Sequence, residues 1–199
     1  MIGKIQSGDQ KVKIFTWNMQ NKKGEHIYSG IIQQRIPRKR ETDSILIHVL
    51  KDNSHNIINS ENQTLDAGNW LGALYYSIND FSFRKRTYYV LLGFDFNNNF
   101  SNKKIIEILR LDDNKPEFGG EIQKETNIVR RLIFEYSSEI VMTLRFDQKL
   151  KKVVFDHLTP IEPMFQGVHR FYVPNGTYDA LIFDKGKFIL VNDVDARNN

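Results

Sequence analysis

Apolar and polar positions alternate with a period of two through most of this chain, as they do in strands. Between Lys11 and Gln20, Val12, Ile14 and Thr16 share one face, while Phe15, Trp17 and Met19 share the other. Asn21-Lys22-Lys23-Gly24 reads as a turn, and Ile27 to Ile36 as the returning strand. Ser44 to Leu50 follows as a third strand. Leu71 to Phe83 and Thr87 to Phe96 make the next pair, joined by Arg84-Lys85-Arg86. Further strands are read at Ile128 to Tyr136, Ile140 to Phe146, Val153 to Leu158, His169 to Val173, Tyr178 to Phe183 and Phe188 to Val191. Glu117 to Lys124 is a short or bulged strand around Gly119-Gly120. Pro174-Asn175-Gly176 and Asp184-Lys185-Gly186 read as tight turns.

Two stretches depart from this rhythm. Residues 53–70 are polar and hold either a short helix or an irregular loop. Ser101 to Leu109 could be a helix capped by Ser101, with Ile105, Ile108 and Leu109 on one face, or a strand. Its isoleucine content, and the turn that Arg110 to Asn114 would supply, favour the strand. The pattern therefore predicts a mainly β chain, an antiparallel meander of about a dozen strands. Sandwich, barrel and propeller-like forms all suit such a meander, with at most one or two short helices. Residues 1–199 read as a single β-rich domain, with 1–10 a flexible N-terminal segment.

One unit recurs three times: an apolar strand, Phe-Asp, a polar turn with lysine, and a second apolar strand. It appears at Phe94-Asp95, Phe146-Asp147 and Phe183-Asp184. Aspartate at a strand end can accept backbone N–H bonds and tie a turn, leaving the preceding Phe to face the core. The three aspartates make a site only if the fold brings them together.

Composition narrows the chemistry. The chain of 199 residues has no cysteine, which excludes disulfides, thiolate catalysis and cysteine metal sites. Aromatic residues make up 12%, in keeping with strands. The net charge of +4 is a mild bias toward anions. The first ten residues lack an apolar leader core, and no run approaches the ~18 apolar residues of a membrane-spanning helix. The five histidines show no metal-ligand spacing, and no phosphate loop or nucleophile elbow appears. No cofactor is expected.

The candidate groups are dispersed. Asp156-His157 resembles a catalytic pair on the page, but neighbours in a strand face opposite ways, so either would need a distant partner. Asp193 and Asp195 could share a face and hold a hard cation, or could pair with Arg197 and solvent. With Glu135 and Asp179 these carboxylates are the only material for a hydrolase acting on a glycan-like polymer. Basic clusters include Arg38-Lys39-Arg40, Arg84-Lys85-Arg86, Lys103-Lys104, Arg130-Arg131 and Lys149 to Lys152, several of them at turns. If the turns gather at one end, Arg38, Arg40, Arg84 and Arg86 form a positive rim for a polyanion; otherwise they are solvated loops guarding strand edges. Trp70 is a candidate stacking residue within the 53–70 stretch.

The segments Ile14 to Trp17, Asn69 to Tyr76, Tyr88 to Asp95, Asn102 to Leu109, Val153 to Leu158 and Tyr178 to Leu181 together resemble a family of bacterial extracytoplasmic proteins of unknown function. Its members are longer and begin with an export leader. The resemblance thus implies an extracytoplasmic location if a leader has been removed, and a cytoplasmic one otherwise. It transfers no functional residue. The expectation is a non-enzymatic binding or structural domain with a protein or polysaccharide partner, ahead of nucleic acid. A glycan hydrolase and a polyanion-binding module using the basic turns are the alternatives.

Overall fold

The computed structural model describes residues 2–195. Among these residues sixteen strands form three sheets. The first is a meander of β1 (Ile2–Gln6), β2 (Val12–Gln20), β3 (His26–Ile36) and β4 (Ser44–Lys51). The central sheet has the order β5 (Leu65–Asp66), β9 (Lys115–Phe118), β8 (Ser101–Asp112), β7 (Arg86–Asp95), β6 (Leu74–Phe83). There β12 (Arg131–Ser137) pairs with the first part of β8. The third sheet runs β11 (Asn127–Val129), β10 (Ile122–Lys124), β16 (Lys187–Val191), β15 (Tyr172–Asp184), β14 (Lys152–Pro160), β13 (Leu144–Asp147). Every pairing between these strands is antiparallel except β10 with β16. Among the described residues no sheet closes into a barrel.

The sheets stack as three layers, because the central one is apolar on both faces. Tyr89 and Leu91 of β7, with Ile105 and Leu109 of β8, join Val12, Ile14 and Ile32 of the first sheet in one core. Their neighbours Val90, Leu92, Ile106 and Ile108 join Val153, Phe155 and Leu181 of the third sheet in the other. This two-sided burial explains why Tyr88 to Leu92 and Ile105 to Leu109 read as nearly continuous apolar runs. It also settles the helix-or-strand alternative at 101–109 in favour of strand.

Several expectations change. Residues 1–10 were expected to be flexible; Ile2 to Gln6 instead form β1, in register with Lys13 to Trp17. The strand count exceeds a dozen because short strands such as β5, β10 and β11 carry too little periodicity to be read. The 53–70 stretch folds into three-residue 3-10 turns around β5. Pro174-Asn175-Gly176 is no hairpin turn: β15 continues through it, and Asn175 to Thr177 bulge opposite His157. No helix among the described residues is long and apolar enough to cross a membrane.

Six connections share one end of the stack. The β3–β4 loop lies there beside the β8–β9 turn, since Gln34 donates to Asn114. Gly186 of the β15–β16 turn abuts the Phe83 ring, where β6 turns into β7. The β13–β14 turn lies at the same end, because Val153 pairs with Leu181. The β1–β2 turn is held there by Asp80, which accepts from the backbone N–H of Gly8 at 2.7 Å.

Candidate functional site

Between β9 and β10 the chain crosses from the central sheet to the third through Gly119-Gly120. The Gly119 N–H donates to the Ile108 carbonyl at 2.9 Å, with φ at +107°. A Cβ on Gly120 would stand 2.7 Å from Ile108 Cγ2, so the crossing is tight because both residues are glycine. Beside it opens a cleft of about 310 Å³ whose lining includes Arg86, Tyr88, Arg110, Glu121, Arg130 and Lys187.

Cations dominate this cleft. Glu121 is the one carboxylate lining it among the described residues, and it pairs with Arg130 at 3.4 Å. Arg110 contacts Glu117 and stands 3.7 Å from Asp112. Its Nε is buried and meets no hydrogen-bond partner among the described residues. Arg86 and Lys187 form no ion pair among the described residues. The floor is apolar: Tyr88 meets Phe188 edge-on, with ring centroids 5.8 Å apart. A planar guanidinium fork beside a mobile ammonium suits a phosphate, sulfate or carboxylate group.

Two further basic turns share the cleft's end of the stack. Arg84 and Lys85 sit at the β6–β7 turn, and Lys149, Lys151 and Lys152 at the β13–β14 turn. The Arg38-Lys39-Arg40 loop shares this end but is partly neutralised, with Arg38 on Glu41 at 2.8 Å and Arg35 on Asp43 at 2.5 Å. Arg131, read with Arg130 as a basic cluster, faces the other way and is fully buried. It donates to Glu107 at 2.6 Å and to the carbonyls of Ser60 and Gln63. Glu107 also accepts from the Tyr75 hydroxyl at 2.5 Å, which in turn accepts from the Trp70 indole at 2.9 Å. Trp70 is therefore a core residue and unavailable for stacking on a ligand. Burial, and then Glu107, push the Tyr75 hydroxyl pKa well up.

The candidate carboxylates hold separate partners. Asp156 is buried and accepts the Thr143 N–H at 2.6 Å, which tethers the segment leading into β13. His157 faces away from Asp156, and its Nδ1 meets Asp179 at 2.7 Å. The second oxygen of Asp179 accepts the Asp193 N–H at 3.1 Å. Asp193 thus joins this group through its backbone, at φ +53°. Asp195 ends the described residues, and Arg197 lies outside them. Among the described residues no three acidic or histidine side chains gather to hold a metal. Glu135 sits elsewhere, on β12, accepting from Ser101 at 2.6 Å and from Asn97 at 3.1 Å.

The Phe-Asp aspartates do not converge. Asp147 accepts the Leu150 and Lys149 N–H groups at 3.0 Å, and those bonds hold its carboxyl below the usual range. Asp95 ties the turn after β7 by accepting the Asn97 N–H at 2.8 Å. It lies at the opposite end of β7 from Arg86, roughly 30 Å away at strand spacing. Asp147 and Asp184 flank turns at the cleft end.

Of the basic candidates, Arg86 lines the cleft, Arg84 borders it, and Arg38 and Arg40 lie apart from it in the β3–β4 loop. Arg110 was missed: a single arginine after an apolar run gives no sign that its strand end meets a third sheet. Lys187 was visible only as part of the repeat. No protein-family model matches the chain, and no curated protein or solved structure matches it either.

Proposed function

We propose that this chain is a binding domain whose cleft between the central and third sheets takes an anionic group. The observation that carries the reading is the convergence of Arg86, Arg110, Arg130 and Lys187 on one cleft with a single lining carboxylate. The Arg84-Lys85 turn next to Arg86, and the lysines of the β13–β14 turn at the same end of the stack, extend the positive surface beyond the size of one phosphate, which favours a chain of anions. The resemblance to extracytoplasmic proteins makes an acidic polysaccharide the favoured form.

A sulfated heparin oligosaccharide is the test probe, titrated by calorimetry at several salt concentrations. Affinity falls as salt rises from about 50 to 200 mM, because each neutralised anion releases counterions. The paired substitution Arg86→Ala with Lys187→Ala weakens binding at least tenfold, since charged hydrogen bonds contribute about 1.5–3 kcal/mol each. Arg38→Ala with Arg40→Ala changes it less. Equal affinity in the cleft variant, or indifference to salt, overturns the reading.

A further inference from the structure

The outer face of the first sheet is apolar where water selects polar residues. An antiparallel sheet covered on one side reads apolar on that face and polar on the other. In this sheet Val12, Ile14, Ile32 and Leu50 already fill the core. Yet Ile45 to Leu50 is an apolar run broken only by His48, much like the strands of the central sheet, which are covered twice. Alternation turns Ile45, Ile47 and Val49 outward, where they are 47%, 56% and 60% exposed. Ile2, Met19 and Ile27 face the same way and are exposed too. Nothing among the described residues covers them.

Register fixes what lies between them. Trp17 pairs with Ile2 and Ser29, Phe15 with Lys4 and Ile31, and Ile31 with Val49, so these side chains share the outer face. The charge on that face has one sign. Lys4, Lys13, Arg35 and Lys51 stand on it, and among the described residues no Asp or Glu does. Arg35 pairs with Asp43 at the rim at 2.5 Å, and Lys4 Nζ rests 5.9 Å from the Phe15 ring centroid. Lys13 and Lys51 form no ion pair among the described residues. The other rim carboxylates have partners: Asp9 accepts from Ser7 and Tyr89, Glu25 from Asn21, and Glu41 from Arg38. Four strands at ~4.8 Å spacing, with ~8 residues each at ~3.3 Å, give a face of roughly 500 Å². Exposed apolar surface on that scale marks an interaction site.

A second copy of the chain would set these lysines against each other, with no carboxylate on either face to meet them, and lysine is depleted from the centres of protein interfaces. A lipid surface complements them. Aliphatic side chains enter the acyl boundary, a Trp ring sits at head-group level, and lysine stems lie along apolar surface while their ammonium groups reach phosphate. We propose that the outer face of the first sheet docks on an anionic lipid bilayer, with Ile45, Ile47 and Val49 entering the boundary and Lys13 and Lys51 on head-group phosphates. The docking is peripheral and uses none of the residues of the cationic cleft.

Co-sedimentation of the full chain with vesicles of equal parts phosphatidylglycerol and phosphatidylcholine, in about 100 mM salt, tests this. The protein binds them at least tenfold more tightly than vesicles of phosphatidylcholine alone. Bromine on the acyl chains quenches Trp17 emission, and Trp17→Phe abolishes that quenching, because Trp70 is fully buried. Lys13→Gln with Lys51→Gln weakens binding about tenfold, as expected for two charges near an anionic surface. Ile47→Ser with Val49→Ser weakens it at least as much. Absence of binding, equal binding to neutral vesicles, or binding that leaves Trp17 unquenched, as docking through the cleft end would, overturns the proposal. A lipid-free dimer that Ile47→Ser with Val49→Ser dissociates also overturns it, by assigning the face to a second copy. The comparison of the two vesicle types uses unmodified protein, so it stands even if a variant fails to fold.

Discussion

Replacing Arg131 by Met removes the cation at the centre of the molecule while nearly keeping its volume. Arg131 is 0% exposed and Glu107 is 1% exposed, so neither ion has water to fall back on. Without the guanidinium, Glu107 keeps only the Tyr75 hydroxyl, the Gln63 carbonyl loses its donor, and the Ser60 carbonyl keeps only the Gln63 N–H at 3.5 Å. Breaking one partner of a buried pair costs about 3–5 kcal/mol. The stranded Gln63 carbonyl adds about 1–3 kcal/mol before relaxation. These terms overlap, because the 60–63 segment can move toward water, so a loss of about 4 kcal/mol is expected. In urea, at a slope of ~2 kcal/mol/M, the unfolding midpoint falls by about 2 M. Trp70 fluorescence is the assay, since its indole ends the same network. Adding Glu107→Leu removes the orphaned anion, so the double variant is more stable than the two single losses predict, by about 1–3 kcal/mol. A midpoint within about 0.3 M of wild type for Arg131→Met would refute the reasoning.

Two further perturbations probe the cleft end. Gly120→Ala forces a Cβ against Ile108; destabilisation of about 1–3 kcal/mol in thermal unfolding is expected, with weaker heparin binding from the displaced connector. Asp147 titrates below its unfolded value, so its contribution to stability is present above the ordinary carboxyl pKa of about 3.9 and fades as pH falls through the folded value. Asp147→Asn therefore lowers urea stability at neutral pH, and the gap to wild type closes in acid; a gap constant down to pH ~2 would contradict the Asx-turn role.

The strands were legible because alternation records which side of a residue is buried, and in β2, β3 and β7 that record is long. The third layer was not. Alternation says that Leu91 and Leu92 are both covered, but not that two different sheets cover them. The same limit hid the ion pair: Arg131 and Glu107 are 24 residues apart and meet only because β12 lies beside β8. A lone arginine in a strand reads as solvated, and Arg131 breaks that rule by facing the 60–63 segment. The Phe-Asp unit was read well where its turn is local, as at Asp147, whose partners lie within three residues. Arg110, Arg130 and Lys187 belong to separate elements, and no local pattern announces that the Gly119-Gly120 crossing gathers them.

The most direct measurement follows the arginine Nε–H resonances by NMR during the heparin-oligosaccharide titration. Arg110 Nε, buried and without a partner among the described residues, reports on the cleft from inside it. The account predicts large, saturable shifts at Arg110, Arg86 and Arg130, with Arg38 and Arg40 little moved. Shifts at Arg38 and Arg40 with Arg110 unchanged would contradict it.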